Sequence, residues 1–400
     1  RRIMKKKVVS LLAAMALAVT ALAGCGSNDA ATTGTDAATV AATTEAAGTT
    51  EAAGTTEAAT DSEAVTGVKA GFIFLHDENS TYDLNFLNAA KAACEKLGIE
   101  YMTKTNIPEG QEAYEAACEL ADAGCNFIFA DSFGHEDYII EAAKEYPDVQ
   151  FSHATGTKAH TEGLDNFHNA FASIYDGRYL AGIVAGMKTE SNLIGYVSAM
   201  GSENSECTGG IDAFAMGVYS VNPDAKVYVK VTNSWYSPTE ETNAAKALLS
   251  EGCDVIAQHC DTPNPQLEAE SAGKWGVGYN TDMSKDAPKA TLTSTLWNWS
   301  AYYTYQVKQI VDGNWKCENY YGGMADGLVD IAPLNKDLCT EDMQKAVDEA
   351  KAKLEDGSFN VFDGVIETND GKTVGEEGKT LDDATITGGI NWYFKNVEVK

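Results

Sequence analysis

The sequence has few basic residues for its length. It contains 29 Lys and Arg residues against 59 Asp and Glu residues, which gives a formal net charge of −30 at pH 7. A protein that binds nucleic acid needs a basic footprint, so this balance argues against a nucleic-acid partner. The nine cysteines include no C-x-x-C pair, which argues against a zinc knuckle and a thioredoxin-type site. No apolar run after residue 25 is long enough to cross a membrane.

The first 25 residues have the pattern of an export signal that ends in a lipid-attachment site. Lys5–Lys7 precede an apolar run, Val8–Leu22, that is too short for a permanent membrane span. The run closes with Leu22-Ala23-Gly24-Cys25. We expect residues 1–24 to be removed and Cys25 to carry the lipid that anchors the protein to the extracytoplasmic face of the cell membrane. The alternative is a cleaved signal with an unmodified Cys25.

Residues 25–66 are expected to be a disordered linker. Thr43–Gly48 is followed by an exact copy of itself and by a second copy with one change, and such a segment cannot bury enough apolar surface to offset the entropy of ordering it. The folded part should begin near Val68 and form two lobes. We assign residues 67–190 to the first lobe, with a return segment at 291–315, and residues 191–290 with 316–400 to the second. The remaining cysteines could be free or paired.

Strand and helix patterns alternate along the folded part. A helix, a glycine and a buried strand follow one another in Leu120–Ile128, and Leu248–Ile256 aligns with this segment without a gap. This repetition indicates two similar α/β lobes, each with a doubly wound parallel sheet. Ligands of such sheets bind outside the carboxyl ends of the strands, so the loops that follow the strands are the candidate site.

Aromatic residues and short hydrogen-bonding residues are mixed in these loops. This mixture suits a flat heteroaromatic ligand, whose faces stack on rings while polar groups contact its edge. Charged residues that could hold a phosphate are scarce there, which favours a base or nucleoside over a nucleotide. The candidate binding residues are Ser80, Thr81, Tyr82, Asp131, Ser132, Phe133, Thr155, Trp235, Asp261, Asn280, Asp282, Trp297 and Asn298.

Several short phrases, among them Ala130–Gly134, His153–Gly156 and Trp297–Trp299, resemble those of the basic membrane protein family. This family consists of substrate-binding lipoproteins of ABC importers that are related to purine nucleoside receptors. The resemblance runs from about Val68 to Phe362. It implies a type I periplasmic-binding-protein fold, two lobes joined by crossing hinge segments, and a permease and an ATPase as partners. Family members bind purine nucleosides or adenine, and a few relatives bind riboflavin. The phrases are Ala130–Gly134, His153–Gly156, Gly177–Gly182, Asn222-Pro223, Asn233–Trp235, Asp282–Ser284, Thr293-Ser294 and Trp297–Trp299.

The resemblance also implies roles for individual residues. Tyr82 and Trp235 stand where the family has the two aromatic rings that sandwich the base. Asn280 and Trp297 stand near the carboxylate and the lysine that hold the ribose in nucleoside binders, and this departure favours a free base such as adenine. Asp131 would help to read the edge of the base, as would Ser132, Asn280 and Asp282.

Other functional classes remain as alternatives. A nucleoside-cleaving enzyme would need clustered carboxylates and usually a metal, and we expect neither catalysis nor a cofactor. His153, His160 and His168 lack a nearby fourth ligand of recognised spacing, so no metal site is expected. A sensory or surface lipoprotein, or a binder of riboflavin or a modified sugar, would use the same fold. The protein is expected to be a monomer, and Gly177–Ala185 is expected to be a packing helix without a chemical role.

Overall fold

A computed structural model describes residues 67–400. Strands and helices alternate through most of this part of the chain. The strands are β1 (Lys69–Ile73), β2 (Glu100–Lys104), β3 (Phe127–Ala130), β4 (Gln150–Ala154), β5 (Phe167–Ala172), β6 (Leu193–Ser198), β7 (Lys226–Val231), β8 (Val255–His259), β9 (Trp275–Asn280), β10 (Thr291–Trp297), β11 (Tyr320–Gly322), β12 (Val329–Ile331), β13 (Asp363–Glu367), β14 (Thr373–Thr380) and β15 (Val397–Val399). The helices are α1 (Thr81–Leu97), α2 (Gln111–Asp122), α3 (Glu136–Glu145), α4 (Ala159–Glu162), α5 (Ile174–Lys188), α6 (Ser205–Val221), α7 (Pro238–Ser250), α8 (Asn264–Ser271), α9 (Trp299–Val311), α10 (Glu341–Glu355) and α11 (Asp383–Gly388).

The strands form two large sheets, one in each lobe. The first sheet has the order β11-β5-β4-β3-β1-β2 and all of its pairs are parallel. The second has the order β12-β10-β9-β8-β6-β7-β15 and is parallel except for the β10–β12 pair. A separate hairpin pairs β13 with β14. The predicted fold class, two parallel-sheet α/β lobes, is confirmed.

The repeated helix-glycine-strand phrase has the same structure in both lobes. Gly124 follows α2 with a φ of 87°, and Gly252 follows α7 with a φ of 97°. Both angles lie in the left-handed region that glycine adopts without steric cost, so each glycine ends its helix. The cysteine after each glycine, Cys125 or Cys253, is buried. All eight cysteines of the described residues are free thiols.

The chain crosses between the lobes at three places that differ from the predicted boundaries. Helix α5, predicted in the first lobe, packs on α6 and β10 of the second lobe. Strand β10, predicted in the return segment, lies in the second sheet. Only α9 and β11 return to the first lobe, where α9 packs on α1. The crossings therefore follow β5, β10 and β11, because each of these strands is the last element of its lobe before the chain passes to the other lobe.

The contact between α5 and α6 is close enough to require glycine. A Cβ atom on Gly182 would lie 2.1 Å from the carbonyl oxygen of Phe214, and one on Gly217 would lie 2.1 Å from that of Tyr179. Side chains at these two positions would separate the helices.

No helix within residues 67–400 has the length and apolar character to span a membrane. The predicted signal, the Cys25 anchor and the linker lie outside the described residues.

Candidate functional site

A cavity lies between the two lobes, at the carboxyl ends of the strands. The space between its side chains is about 480 Å³, part of it open to solvent. The first lobe contributes the loop from β1 into α1 and the ends of β3 and β4, and the second contributes the ends of β6 to β9. The lining residues are Leu75, His76, Tyr82, Asp83, Ser132, Phe133, Thr155, Glu206, Trp235, Asp261 and Tyr279.

Tyr82 and a buried aspartate form one part of the first-lobe wall. The Tyr82 hydroxyl donates to the carbonyl oxygen of Asp131 at 2.9 Å, and the Tyr82 ring meets the Phe86 ring edge-on at 4.8 Å. These contacts fix the orientation of the Tyr82 ring. The Oδ1 atom of Asp131 accepts the Leu75 N–H at 3.2 Å, and Oδ2 has no partner among the described residues. Burial, and after it the neighbouring Asp83, raises the pKa of Asp131 well above its usual value.

His76 and Asp83 form a second polar unit on this wall. Asp83 Oδ1 accepts the His76 backbone N–H at 2.8 Å, and Asp83 Oδ2 lies 3.2 Å from His76 Nδ1. The hydrogen bond with Asp83 raises the pKa of His76 above 6.5. Burial opposes ionisation of Asp83, but the hydrogen bonds from His76 and Ser80 leave the pKa of Asp83 below its usual value. The His76 ring also stacks on Tyr236 of the second lobe, with 5.3 Å between ring centroids.

The second-lobe wall combines aromatic rings with a buried arginine. The ring centroids of Trp235 and His259 are 5.8 Å apart, and those of His259 and Tyr279 are 4.9 Å apart. Behind them, the Arg178 guanidinium carbon lies 3.8 Å from the centroid of the Tyr279 ring. Burial, and after it the Arg178 charge, lowers the pKa of His259 well below 6.5. The imidazole is therefore neutral near pH 7.

Direct hydrogen bonds join the two lobes beside the cavity. Thr81, the first residue of α1, donates its backbone N–H and its hydroxyl to the Asp261 carbonyl oxygen, at 3.1 and 3.0 Å. The Asn280 side-chain amide donates to Asp261 Oδ1 at 2.9 Å and to Thr81 Oγ1 at 3.2 Å. Asn85 of α1 donates to the backbone oxygens of Asn280 and Trp297, each at 2.7 Å. The structure is thus a closed arrangement of the lobes.

The structure brings many of the predicted site residues together around the cavity. Six of them line it directly, and four more are hydrogen-bonded to lining residues. Among the latter, Ser80 caps α1 by accepting the Asp83 N–H at 3.3 Å. The six lining residues are Tyr82, Ser132, Phe133, Thr155, Trp235 and Asp261, and the four behind them are Ser80, Thr81, Asp131 and Asn280.

Three predicted residues lie outside the lining. Asp282 caps the short 3₁₀ turn Met283–Lys285 by accepting the Ser284 N–H at 3.1 Å. Trp297 is buried behind Tyr279, to whose hydroxyl its indole N–H donates at 3.1 Å. Asn298 donates to the Gly327 carbonyl oxygen at 2.9 Å, at a lobe crossing. Each of the three follows or ends a strand, but strand-end position alone does not decide whether a side chain reaches the cavity.

Five lining residues were not among the predicted set: Leu75, His76, Asp83, Glu206 and Tyr279. Glu206 follows β6, so the strand-end rule that selected the other loops would have found it. The strand-end rule could not have found the buried Arg178, because this residue lies within helix α5, whose other residues are typical of a packing helix. Within residues 67–400 no group of His, Cys, Asp and Glu side chains could hold a metal ion.

The fold and the cavity together define the class of protein. Two parallel-sheet lobes, joined by three crossings and closed on a small cavity, form the architecture of type I periplasmic binding proteins. Residues 74–360 match the family described as ABC transporter substrate-binding protein PnrA-like, and the chain belongs to this family. It is a solute-binding protein of an ABC transporter, and the expectation that it is not an enzyme is confirmed.

Individual relatives are consistent with this assignment. A purine-binding protein of Brucella abortus (strain 2308) is 36% identical over 83% of this chain and 93% of its own length. A putative ABC transporter glucose-binding protein of Haloferax volcanii is 36% identical over 58% of this chain and 57% of its own length. A solved ABC transporter solute-binding protein from Conexibacter woesei has the same fold, with a TM-score of 0.62, 20% identity and coverage of 73% of this chain and 98% of its own.

Proposed function

We propose that the protein captures a purine in the cavity between its lobes and delivers it to the permease of an ABC importer. The observation that carries this proposal is the placement of Tyr82 and Trp235, two aromatic residues from opposite lobes that line the same cavity. Rings that approach from two lobes can stack on both faces of a flat heterocycle. The purine-binding relative supports the same ligand class.

The charges of the cavity favour an uncharged ligand with N–H donors. Asp83, Glu206 and Asp261 are the carboxyl groups among its lining residues, and the lining includes no Lys or Arg from residues 67–400. Carboxyl oxygens accept hydrogen bonds from amino groups, whereas a phosphate would find no Lys or Arg partner in this lining. A base or nucleoside fits this lining better than a nucleotide.

A free base such as adenine is favoured over a nucleoside. The two family positions for charged ribose contacts hold Asn280 and Trp297 here. The Asn280 amide already binds Thr81 and Asp261, and the Trp297 indole already binds Tyr279. Neither side chain has a donor left for ribose hydroxyls.

Closure of the lobes is the proposed means of capture. The ligand would stack on Tyr82 and Trp235, and the contacts of Thr81 and Asn85 with the second lobe would hold the closed form. The closed pair of lobes is then the surface that the permease recognises. A diacylated Cys25 and the linker would keep the protein near this permease.

The first test identifies the ligand that the protein carries. Residues 67–400 are purified under native conditions and denatured, and the released compounds are identified by mass spectrometry. Isothermal titration of refolded protein with adenine, adenosine, glucose and riboflavin then ranks the affinities. We expect adenine to bind most tightly. Preference for adenosine would contradict the exclusion of ribose, and binding of glucose or riboflavin alone would overturn the purine assignment.

The anchor needs a separate test with the full chain. Cells that express it are fed a labelled fatty acid, and label is expected on the wild-type protein but not on Cys25→Ser. Equal labelling of the two proteins would exclude Cys25 as the lipid attachment site.

A further inference from the structure

Glu206 is the only side chain of the first turn of α6 that lines the ligand cavity. It belongs to the second-lobe wall, and its side chain is 15% exposed. The nearest nitrogen of His259, Nε2, lies 3.6 Å from Glu206 Oε1, which is too long for a hydrogen bond. The first turn of a helix stabilises a negative charge, so a carboxylate is favourable at this position. The Glu206 carboxyl group faces the cavity and has no direct hydrogen bond from His259.

Several nitrogen atoms of Arg178 and His259, behind Glu206, have no hydrogen-bond partner among the described residues. Arg178 is 2% exposed and donates from Nη1 to the Gln258 carbonyl oxygen at 2.6 Å. Its Nε and Nη2 atoms, and both ring nitrogens of His259, have no hydrogen-bond partner among the described residues. An unsatisfied buried polar group costs about 1–3 kcal/mol. These unpaired polar groups therefore lower the stability of the wall, and Glu206 lies between them and the cavity.

The surroundings of Glu206 leave it able to gain or lose a proton near neutral pH. Burial raises the pKa of Glu206 to about 7, and the Arg178 charge opposes this rise. The other titratable groups near it are His259, Asp261, Tyr82 and Tyr279, together with Tyr196 and Cys207, whose pKa values burial raises further. Burial lowers the pKa of His259 and raises the pKa values of Asp261, Tyr82 and Tyr279 well above usual. His259 and the two tyrosines are therefore neutral near pH 7. Arg178 is the fixed charge nearby.

We propose that Glu206 determines ligand specificity by pairing, as a neutral carboxyl group, with the edge of an amino-substituted nitrogen heterocycle. Its O–H donates to a ring nitrogen, and its carbonyl oxygen accepts from the adjacent amino group. This inference rests on the purine ligand proposed above and specifies which edge the protein requires. A heterocycle of the same shape without the amino group leaves the acceptor unpaired and binds more weakly.

The test compares adenine with 6-methylpurine, which has the same shape but no amino donor. Titration of the wild-type protein is expected to show at least tenfold tighter binding of adenine. Glu206→Gln keeps one donor and one acceptor, so it should retain this preference. Glu206→Ala should reduce the preference several-fold. Circular dichroism and urea unfolding check that each variant is folded.

The pH dependence gives a second readout that a purely structural role would not produce. Because adenine pairs with the neutral carboxyl group, the wild-type dissociation constant should rise above about pH 7, by up to tenfold per pH unit. The Gln variant cannot ionise and should lack this part of the slope. The hydrogen bond with Asp83 raises the pKa of His76 in both proteins, so any contribution from His76 cancels in the comparison. Glu203→Gln, three residues earlier and outside the cavity lining, is the matched control and should behave like the wild type.

The outcomes separate the two proposals. If adenine and 6-methylpurine both fail to bind the wild-type protein, the purine assignment itself fails. If adenine binds but Glu206→Ala weakens both ligands equally, or Glu206→Gln keeps the wild-type pH slope, the role of Glu206 is overturned and the purine assignment stands.

Discussion

The side-chain amide of Asn280, at the end of the second lobe's strand β9, donates a hydrogen bond of 3.2 Å to the hydroxyl of Thr81, at the start of the first lobe's helix α1. Asn280 has a φ of 66°, in the left-handed region that Asn adopts more readily than most residues. The same amide reaches Asp261 Oδ1, so one side chain connects both lobes at the edge of the cavity. Asn280 thus contributes to closure of the lobes through its N–H donors, while its side-chain oxygen has no hydrogen-bond partner among the described residues.

Removing the Thr81 hydroxyl should weaken closure. Thr81→Val keeps the shape of the side chain but loses its hydrogen bonds to Asp261 and Asn280, each worth about 1 kcal/mol. The population of the closed form falls, so the ligand dissociation constant should rise by roughly 5- to 30-fold. Small-angle X-ray scattering should show a more extended ligand-free protein. Thr103→Val on the exposed strand β2 is the control, and unchanged affinity and scattering in Thr81→Val would contradict the role of this contact.

Trp235 should contribute to affinity through stacking. Loss of an aromatic side chain that stacks on a base costs about 1–3 kcal/mol, so Trp235→Ala should raise the dissociation constant for adenine by about 5- to 150-fold. Trp235→Phe keeps a ring and should lose less. Titration calorimetry measures both, with Tyr305→Ala, a half-exposed residue away from the cavity, as the control. An Ala variant that binds as tightly as the Phe variant would argue against stacking.

The helix contact at Gly182 should tolerate no side chain. In Gly182→Ala the new methyl group would meet the Phe214 carbonyl oxygen at 2.1 Å, so α5 and α6 must move apart. We expect a loss of about 1–3 kcal/mol in the free energy of unfolding, measured with urea. Gly388→Ala has open space around the added atom and should change stability by less than about 0.5 kcal/mol. Equal stability of the two variants would refute the close packing.

His168 should make stability depend on pH. It is buried beside the Tyr302 hydroxyl, 2.7 Å from Nε2, and burial lowers the pKa of His168 to about 3. The unfolded chain takes up a proton at this residue near pH 6.5, whereas the folded protein does not. The stability that neutral His168 contributes is therefore complete above about pH 6.5 and is lost progressively as the pH falls towards about 3.

The variant His168→Gln removes this titration. Between about pH 7.5 and pH 5 the wild-type protein should lose about 2 kcal/mol more unfolding free energy than the variant. Ser152→Ala removes the other partner of the Tyr302 hydroxyl but no titratable group, so it should lower stability by a similar amount at both pH values. Parallel pH profiles for wild type and His168→Gln would show that this histidine is not the source.

Local patterns were sufficient to predict the alternation of strands and helices and the two similar lobes, but not the lobe to which each element belongs. The Gly124 and Gly252 motifs are encoded within a few residues, and both proved correct. Strand β10 has the same apolar pattern whether it joins the first sheet or the second. Its place beside β9 is decided by contacts between residues distant in sequence, so the predicted boundary at residue 291 was wrong.

The same limit applies to the site. Tyr82 and Trp235 were found because they follow strands in loops rich in aromatic residues. Trp297 also ends a strand, but its indole packs on Trp299 at 5.4 Å between ring centroids and turns away from the cavity. Arg178 becomes part of the second-lobe wall because it reaches Gln258 of β8 and Tyr279 of β9. No short segment of the sequence specifies these contacts.

Strand β15 has a consequence for solubility that is independent of ligand binding. It adds in parallel to β7 and covers the outer margin of the second sheet, although the family match ends at residue 360. Uncovered strand margins expose rows of N–H and C=O groups to which another chain can add. A protein shortened to the family boundary would expose this row on β7 and is expected to self-associate, so residues 361–400 would protect the second sheet from edge-to-edge aggregation.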